Sequence, residues 1–302
     1  MNRPEFAIAS LTDTGRTRSR NEDALLVRSF GKWTLLCVAD GLGGHERGDW
    51  ASARATEVFA ERLEEALTHM SPEAALRSAC ADANGSVYRE AMPQAGGQHS
   101  ATTLVAALVS GHEVWWLNVG DSRLYLHSTG TLRQVSEDHS WVAERVREGA
   151  LPAMALRTHP RRNIVSRTVG FEPAVEPDTG SLRVGIGDTL LLCSDGLFGP
   201  LTEQEIADAL SGSDLAGVAT SLVDLANHAG GPDNITVVLG RPQPYVAAPS
   251  DSRMPRSIGA PGCRRNMCTF VCQRPFWKRI NRWTGSRCFG VTRQSASAIS
   301  RS

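Results

Sequence analysis

Aspartates stand directly after apolar runs at several places in the chain, an arrangement that could bind cations. Asp40, Asp121 and Asp195 stand at the ends of predicted buried strands, and Asp233 stands at the start of the last one. Carboxylates gathered at strand ends would repel one another unless a cation lay between them, and all-oxygen sites favour Mg²⁺ or Mn²⁺. The alternative for any single Asp-Gly pair is an ordinary turn, and spacing alone leaves open whether the four converge.

A cluster of arginines lies upstream, between Gly15 and Asp23. An arginine beside a cation site can bind a phosphate, because its planar guanidinium matches two phosphate oxygens. A solvated basic loop is the alternative, and it remains open on the residues of this loop alone.

Strands and helices that could position these side chains are predicted from the apolar periodicity. Predicted strands cover residues 6–9, 33–39, 102–109, 114–119, 123–127, 132–135, 189–193 and 234–239. Predicted helices cover residues 49–70, 71–92, 138–149, 202–210 and 214–228. Runs of strands broken by paired helices indicate an α+β protein with a sheet core and helices outside.

The charges divide the 302 residues into two parts. Residues 251–302 carry eleven Lys and Arg but one acidic residue; of the 32 basic and 32 acidic residues in the chain, 21 and 31 therefore lie in 1–250. The acidic part suits cation binding and argues against nucleic-acid binding, whereas the basic part suits an acidic partner or a membrane surface. Prolines cluster at 242–262, so we predict a domain at 1–245 and a disordered tail at 246–302.

Five short motifs follow one another along the chain: Arg18-Ser19-Arg20-Asn21-Glu22-Asp23, residues 38–45, residues 119–123, residues 193–197 and residues 231–236. In this order they resemble the motifs of the protein phosphatase 2C family, the metal-dependent PPM phosphatases, and those of compact bacterial members above all. The resemblance covers about residues 12–239. It implies a four-layer α-β-β-α sandwich of two mainly antiparallel sheets flanked by helix pairs.

The resemblance also implies a centre of two Mg²⁺ or Mn²⁺ ions and assigns roles by motif match. Asp40 would bridge the ions, the Gly41 carbonyl would bind one of them, and Asp195 and Asp233 would bind the other. Asp23 would support the site, and Asp121 resembles the ligand of a third, weaker ion. Arg18 resembles the phosphate-binding arginine, so Arg18 and Asp40 are the predicted catalytic residues. The stretch at about 141–170 resembles a flap beside the active site.

The predicted function is a cytoplasmic, monomeric protein serine/threonine phosphatase that acts on substrates of a Ser/Thr kinase. One alternative is a catalytically silent phosphoprotein-binding scaffold, against which the presence of Arg18, Asp40, Asp195 and Asp233 speaks. Another is a phosphatase of an anti-sigma antagonist, although no accompanying sensory domain is visible. The first residues do not resemble a secretory signal, and no apolar run is long enough to cross a membrane.

Histidines and cysteines are expected to have structural rather than catalytic roles. We predict that His45, His139 and His159 are structural. Cys37, Cys80 and Cys193 read as buried core thiols, while the four tail cysteines lack paired zinc-ligand spacing.

Overall fold

The computed structural model describes residues 6–42, 47–90 and 100–243, all within one compact unit that spans Met1–Ala248. The elements comprise eleven strands and seven helices within these ranges. The predicted tail at 246–302 lies outside the described residues.

One sheet contains five strands. They are β1 (Phe6–Asp13), β7 (Arg123–Ser128), β8 (Thr131–Gln134), β10 (Thr189–Cys193) and β11 (Ile235–Pro242). Their order is β1-β11-β10-β7-β8, and each neighbouring pair is antiparallel.

The second sheet contains the remaining strands. They are β2 (Asp23–Phe30), β3 (Trp33–Leu42), β4 (Ala101–Thr102), β5 (Leu104–Ser110), β6 (Glu113–Val119) and β9 (Asp178–Arg183). The order is β2-β3-β5-β6-β9, with β4 paired to the end of β3, and these pairs are antiparallel too.

Helices cover the outer face of each sheet. The long pair α1 (Gly48–Ala66) and α2 (Pro72–Glu90) packs on the second sheet, where Phe59 and Leu76 join one apolar cluster. On the five-stranded sheet lie α5 (Asp195–Phe198), α6 (Glu203–Leu210) and α7 (Leu215–His228), which share another cluster with β10 and β11. The four-layer α-β-β-α arrangement is therefore confirmed.

A third apolar cluster lies between the two sheets and joins them face to face. Leu36, Val38 and Val105 of one sheet pack there with Leu190 and Val238 of the other. Because side chains alternate between the faces of a strand, every second residue points into this layer. Following that alternation toward one edge of the sandwich, the apolar residues give way to polar ones: Asp23, Asp40, Thr103, Ser122, Ser194 and Thr236.

The residues from the start of α3 to Gly170 lie beside this polar edge. They begin with α3 (Trp141–Arg147), whose N-cap Ser140 accepts a hydrogen bond from the Ala143 N–H, and contain the single turn α4 (Ala155–Thr158). Their last part is fixed by two isolated bridges, Ser140 with Val165 and Thr102 with Val169. We refer to these residues as the 141–170 segment.

Several elements differ from the sequence expectation. Two strands, β2 and β9, were missed; both lie at sheet edges, and β9 has a single apolar residue, Leu182. Asp40 does not follow its strand but lies inside it, because β3 continues to Leu42 and pairs there with β4. No described helix is long and apolar enough to span a membrane.

Candidate metal centre

The polar edge brings together aspartates from both sheets. Asp23 and Asp40 are direct partners in the register of β2 and β3. Burial raises the pKa of Asp40 well above its ordinary value, and the negative charges of Asp23, Asp195, Asp121 and Asp233 raise it further. The carboxylates whose convergence the spacing left open therefore lie close enough for their charges to act on one another, and the electrostatic cost is distributed over several residues.

The neighbouring carboxyl groups show the same perturbation. Burial, followed by the charges of Asp121 and Asp233, raises the pKa of Asp195 well above its ordinary value. Burial raises the pKa of Asp23 to about 6, and burial together with Asp138 raises that of Asp121 to about 7. Closely spaced carboxylates that resist ionisation are typical of a site that binds a cation.

Two carboxyl oxygens in this cluster have no hydrogen-bond partner. Oδ1 of Asp23 and Oδ1 of Asp195 are both fully buried and unpaired. Buried polar atoms without a partner are rare and costly in folded proteins. A cation bound at the cluster would satisfy both oxygens.

Hydroxyl groups of the five-stranded sheet hold the other oxygen of Asp23. Ser194 Oγ donates to Asp23 Oδ2 at 2.7 Å, and Thr236 Oγ1 donates to the same atom at 2.6 Å. Thr12 Oγ1 lies 2.7 Å from Thr236 Oγ1 and extends the chain of hydroxyls. These donors stabilise the carboxylate form of Asp23 against the effect of burial.

A second pair of hydroxyls supports Asp40 from the opposite side. The Asp40 N–H donates to Thr103 Oγ1 at 2.9 Å, and Thr103 Oγ1 lies 2.7 Å from Ser122 Oγ. Gly120 packs so closely on Thr103 that an added Cβ would lie 2.6 Å from the threonine methyl group. The backbone of Asp40 is thus fixed to the loop that carries Asp121.

Arg18 contacts the cluster from the solvent side. Its Nη2 donates to Asp233 Oδ2 at 2.8 Å, while 51% of its side chain remains exposed. Burial opposes the charge, but Asp233, Glu22 and Asp40 outweigh it and raise the pKa of Arg18. A permanently charged, accessible guanidinium next to carboxylates can bind an incoming anion.

The loop that carries Arg18 is held by Asn234. The Asn234 side chain donates to the carbonyls of Thr14 and Arg20, each at 2.9 Å, and accepts from the Glu22 N–H at 2.8 Å. The motif around Asp233 therefore positions the motif around Arg18, although about 215 residues separate them.

The glycines that follow Asp40 and Asp195 are required by close packing. A Cβ on Gly41 would lie 2.2 Å from the Gly48 carbonyl oxygen, and one on Gly196 would lie 2.0 Å from the Asn234 carbonyl oxygen. These close approaches leave the backbone beside Asp40 and Asp195 no room for a side chain.

A cavity of about 410 Å³ opens between the aspartates and the 141–170 segment. Asp121 and Asp195 lie in its wall on one side, and Leu156, Arg157 and Arg162 lie in its wall on the other. It could accept a polypeptide side chain next to the carboxylates.

The residues present fit a hard divalent cation. The donors are carboxylate and carbonyl oxygens, two of the buried oxygens are unpaired, and the negative charges need compensation. Among the described residues, however, no three His, Cys, Asp or Glu side chains are arranged to hold one ion by themselves. Both Asp233 oxygens are engaged, by Arg18 and by the Asn234 N–H, so the individual ligand assignments stay predictions.

Supporting residues were missed by the sequence analysis. They are Glu22, Thr103, Ser122, Ser194, Asn234 and Thr236. Their signal was present, because most continue the every-second-residue pattern of an apolar strand at its polar end. The pKa of Glu22 is raised by burial and by Asp49, and its carboxyl group packs against Gly48.

The described cysteines and histidines agree with structural roles. Burial raises the pKa of Cys80 to about 12 and also raises those of Cys37 and Cys193, so none of the three is an activated thiol. His139 is buried, and burial lowers its pKa, while His159 stacks on Trp141. His45 lies outside the described residues.

Known proteins are similar to this chain in sequence and in fold. The family model for protein phosphatase 2C matches residues 14–230. The chain is 40% identical over 233 residues to the serine/threonine phosphatase stp of Listeria welshimeri, covering 76% of this chain and 92% of that protein. The crystal structure of the serine/threonine phosphatase Stp1 from Staphylococcus aureus superimposes with a TM-score of 0.74 at 32% identity, covering 81% of this chain and 98% of that one.

A solved structure that contains metal ions is also similar to this chain. The catalytic domain of the serine/threonine protein phosphatase PstP, solved in complex with two manganese ions, matches with a TM-score of 0.69 at 32% identity. That match covers 79% of this chain and 99% of the PstP chain. Together with the aspartate cluster, these likenesses define the class of protein: the chain belongs to the protein phosphatase 2C family. The family and fold expected from the motifs are thereby confirmed.

Proposed function

We propose that this protein is a metal-dependent protein serine/threonine phosphatase. The observation that carries the proposal is the set of mutually perturbed aspartates with two unpaired buried oxygens, next to the accessible guanidinium of Arg18. The relatives named as serine/threonine phosphatases support the same activity, and they do not favour a silent scaffold or an anti-sigma phosphatase.

The proposed ligands are those that the motifs indicate. Asp40 would bridge two Mg²⁺ or Mn²⁺ ions, Asp195 and Asp233 would bind one, and the Gly41 carbonyl the other. Asp23 would support them, and Asp121 would hold a third, weaker ion. The two ions in the PstP structure support this count. When bound, such ions supply an activated water and charge stabilisation for an in-line displacement at phosphorus.

The side chains of the protein perform the remaining tasks. Arg18 would hold the phosphoryl oxygens and offset the charge that develops on them. Thr103, which accepts from the Asp40 N–H, would hold the Asp40 carboxylate in place to bind the ions. Ser194 and Thr236 hold Asp23 in the carboxylate form. No described cysteine is suited to form a phosphocysteine intermediate, because burial keeps these thiols protonated.

The substrates would be proteins phosphorylated by a Ser/Thr kinase. The cavity beside Asp121 and Asp195 would receive residues flanking the phosphorylated side chain, with the 141–170 segment as its flap. We further propose that residues 1–245 form the catalytic domain, which the family match over 14–230 supports. Cytoplasmic location, a monomeric state and contact of the 246–302 tail with an acidic partner or a membrane surface stay predictions.

The test is phosphate release from a phosphothreonine peptide by the full chain, measured with Mn²⁺, with Mg²⁺ and with EDTA. Asp195→Asn should lose the activity, while Asp82→Asn, which alters an exposed aspartate on α2, should retain it. Release that depends on metal and on Asp195 supports the proposal. Folded protein that releases no phosphate with either metal would contradict it.

A further inference from the structure

His139 lies between the loop that carries Asp121 and the 141–170 segment. Its side chain is 1% exposed, so its ring nitrogens must find partners inside the protein. Both do, and the partners lie on opposite sides of the ring.

One ring nitrogen fixes the Asp121 loop. The Gly120 N–H donates to His139 Nδ1 at 3.1 Å. The His139 N–H returns a hydrogen bond to the Gly120 carbonyl at 3.0 Å, and this carbonyl also accepts from Asn118 Nδ2 at 3.1 Å. The residue before Asp121 is therefore held at both its donor and its acceptor. Gly120 has a left-handed backbone, with φ at 106°, and packs closely against Thr103.

The other ring nitrogen points toward strand β9. Because Nδ1 accepts a hydrogen bond, the proton of the neutral ring must lie on Nε2. His139 Nε2 lies 3.1 Å from Asp178 Oδ2 and can donate to it. Arg167 Nη1 also lies 3.1 Å from Nε2, but both groups are donors in this tautomer, so the two are joined through Asp178 and not by a hydrogen bond to each other.

Asp178 connects this side of the ring to the end of the 141–170 segment. Arg167 Nη1 donates to Asp178 Oδ1 at 3.0 Å and to the Glu176 carbonyl at 3.0 Å. The neighbouring Ser166 N–H donates to the His139 carbonyl at 2.9 Å. His139 thus contacts the point at which the segment rejoins the sandwich.

We propose that His139 is a positioning residue that holds the Asp121 loop on one side of its ring and the end of the 141–170 segment on the other. Its Nδ1 side sets the orientation of Gly120 and Asp121, and its Nε2 side sets the position of Asp178 and Arg167. The consequence for catalysis rests on the phosphatase function proposed above. Residues that orient metal ligands typically change metal affinity or activity about 10–100-fold when they are replaced.

Two variants separate the two sides of the ring. In His139→Asn the amide oxygen can take the place of Nδ1 and accept from Gly120, but nothing reaches Asp178. In His139→Gln the amide nitrogen can take the place of Nε2 and donate to Asp178, but Gly120 loses its acceptor. Asp178→Asn, at a side chain that is 38% exposed, removes the charge from the Nε2 side without altering the buried ring.

Hydrogen exchange at the Gly120 amide and Mn²⁺ binding measured by calorimetry test the contact between His139 Nδ1 and the Asp121 loop. In metal-free protein, His139→Gln should raise exchange at the Gly120 amide at least about tenfold, while His139→Asn and Asp178→Asn leave it near the wild-type rate. His139→Gln should also weaken Mn²⁺ binding about 10–100-fold. The exchange measurement needs neither metal nor activity, so it tests the Asp121 side of the proposal even if the phosphatase proposal fails.

The kinetics of phosphopeptide hydrolysis test the contact between His139 Nε2 and the end of the 141–170 segment. His139→Asn and Asp178→Asn should raise KM about tenfold with kcat within about threefold of wild type, whereas His139→Gln should mainly lower kcat. Glu113→Gln is the matched control, because it breaks the ion pair to Arg183 on the same strand β9, away from the site. It should match wild type in every measurement.

Equal effects of His139→Asn and His139→Gln on Gly120 exchange, or wild-type behaviour of both, would overturn the proposal. If neither histidine variant folds, Asp178→Asn decides. A raised KM with unchanged Mn²⁺ affinity then supports the proposed role of the Nε2 side, and unchanged kinetics contradict it.

Discussion

The apolar layer between the sheets and the polar edge of the same layer are built by the same strands but have opposite energetics. Leu36 and Val38 of β3 are completely buried among aliphatic side chains, and two residues later Asp40 lies among carboxylates that raise its pKa. Strand β10 makes the same change between Leu192 and Ser194. The first region stabilises the fold, whereas the second costs stability until a cation compensates its charge.

The largest effect on stability should come from the apolar region. Leu36→Ala should lower the free energy of unfolding by about 2–5 kcal/mol, because it leaves a cavity between the sheets. Urea unfolding measures the loss, and Mn²⁺ calorimetry on the folded variant should give wild-type affinity. If Leu36→Ala kept its stability but lost Mn²⁺ binding, the assignment of stability to the apolar region and metal binding to the polar region would be wrong.

In the polar region, the largest effect should be on activity. Arg18→Ala should lower kcat/KM for a phosphothreonine peptide about 10²–10³-fold, because the phosphoryl oxygens lose their guanidinium. Its Mn²⁺ affinity should stay within about threefold of wild type. Arg62→Ala serves as the control, since Arg62 is an exposed arginine on α1. Full activity of Arg18→Ala would remove Arg18 from the proposed site.

A smaller effect of opposite sign is expected when one carboxylate is removed. In metal-free protein at about pH 8, Asp195→Asn should raise the free energy of unfolding by about 1–3 kcal/mol, since it relieves repulsion within the cluster. Thermal and urea unfolding in EDTA measure the change. A destabilised variant, compared with Asp82→Asn, would show that Asp195 supports the fold rather than a cation.

An effect of similar size or smaller should be a dependence of metal-free stability on pH. Burial raises the pKa values of Asp23 and Asp121 to about 6 and about 7, above the ordinary value of 3.8. Between pH 7 and pH 4 the folded state therefore binds protons that the unfolded chain does not, and stability should rise as the pH falls.

The slope is at most about 1.4 kcal/mol per pH unit for each group. Unfolding in EDTA at pH 7.5, 6.5 and 5.5 measures it. Stability that is constant or falls over this interval would contradict the assigned perturbations.

The ordered motifs were enough to predict the family, the sandwich and the aspartates. Arg18, Asp40, Asp121, Asp195 and Asp233 stand in distinct local patterns, each with a glycine or asparagine nearby. What those patterns could not show is convergence, because it depends on the pairing of β2 with β3 and on the packing of two sheets against each other.

The supporting hydroxyls were not predicted for a related reason. Ser194 and Thr236 contact Asp23 only because β10, β11 and β2 end at the same edge of the sandwich. Because strand β2 was not predicted from the sequence, the direction in which the Asp23 side chain points, toward the other sheet, could not be predicted either. Local periodicity finds a strand, whereas its neighbours are determined by long-range contacts.

Binding of Mn²⁺ to the full chain, measured by calorimetry, tests the central claim most directly. The wild-type protein should bind about two ions tightly, and Asp195→Asn should lose at least one of them, while Asp82→Asn binds as wild type does. Folded wild-type protein that takes up no Mn²⁺, or an Asp195→Asn variant with unchanged stoichiometry and affinity, would contradict the assignment of this cluster as a metal centre.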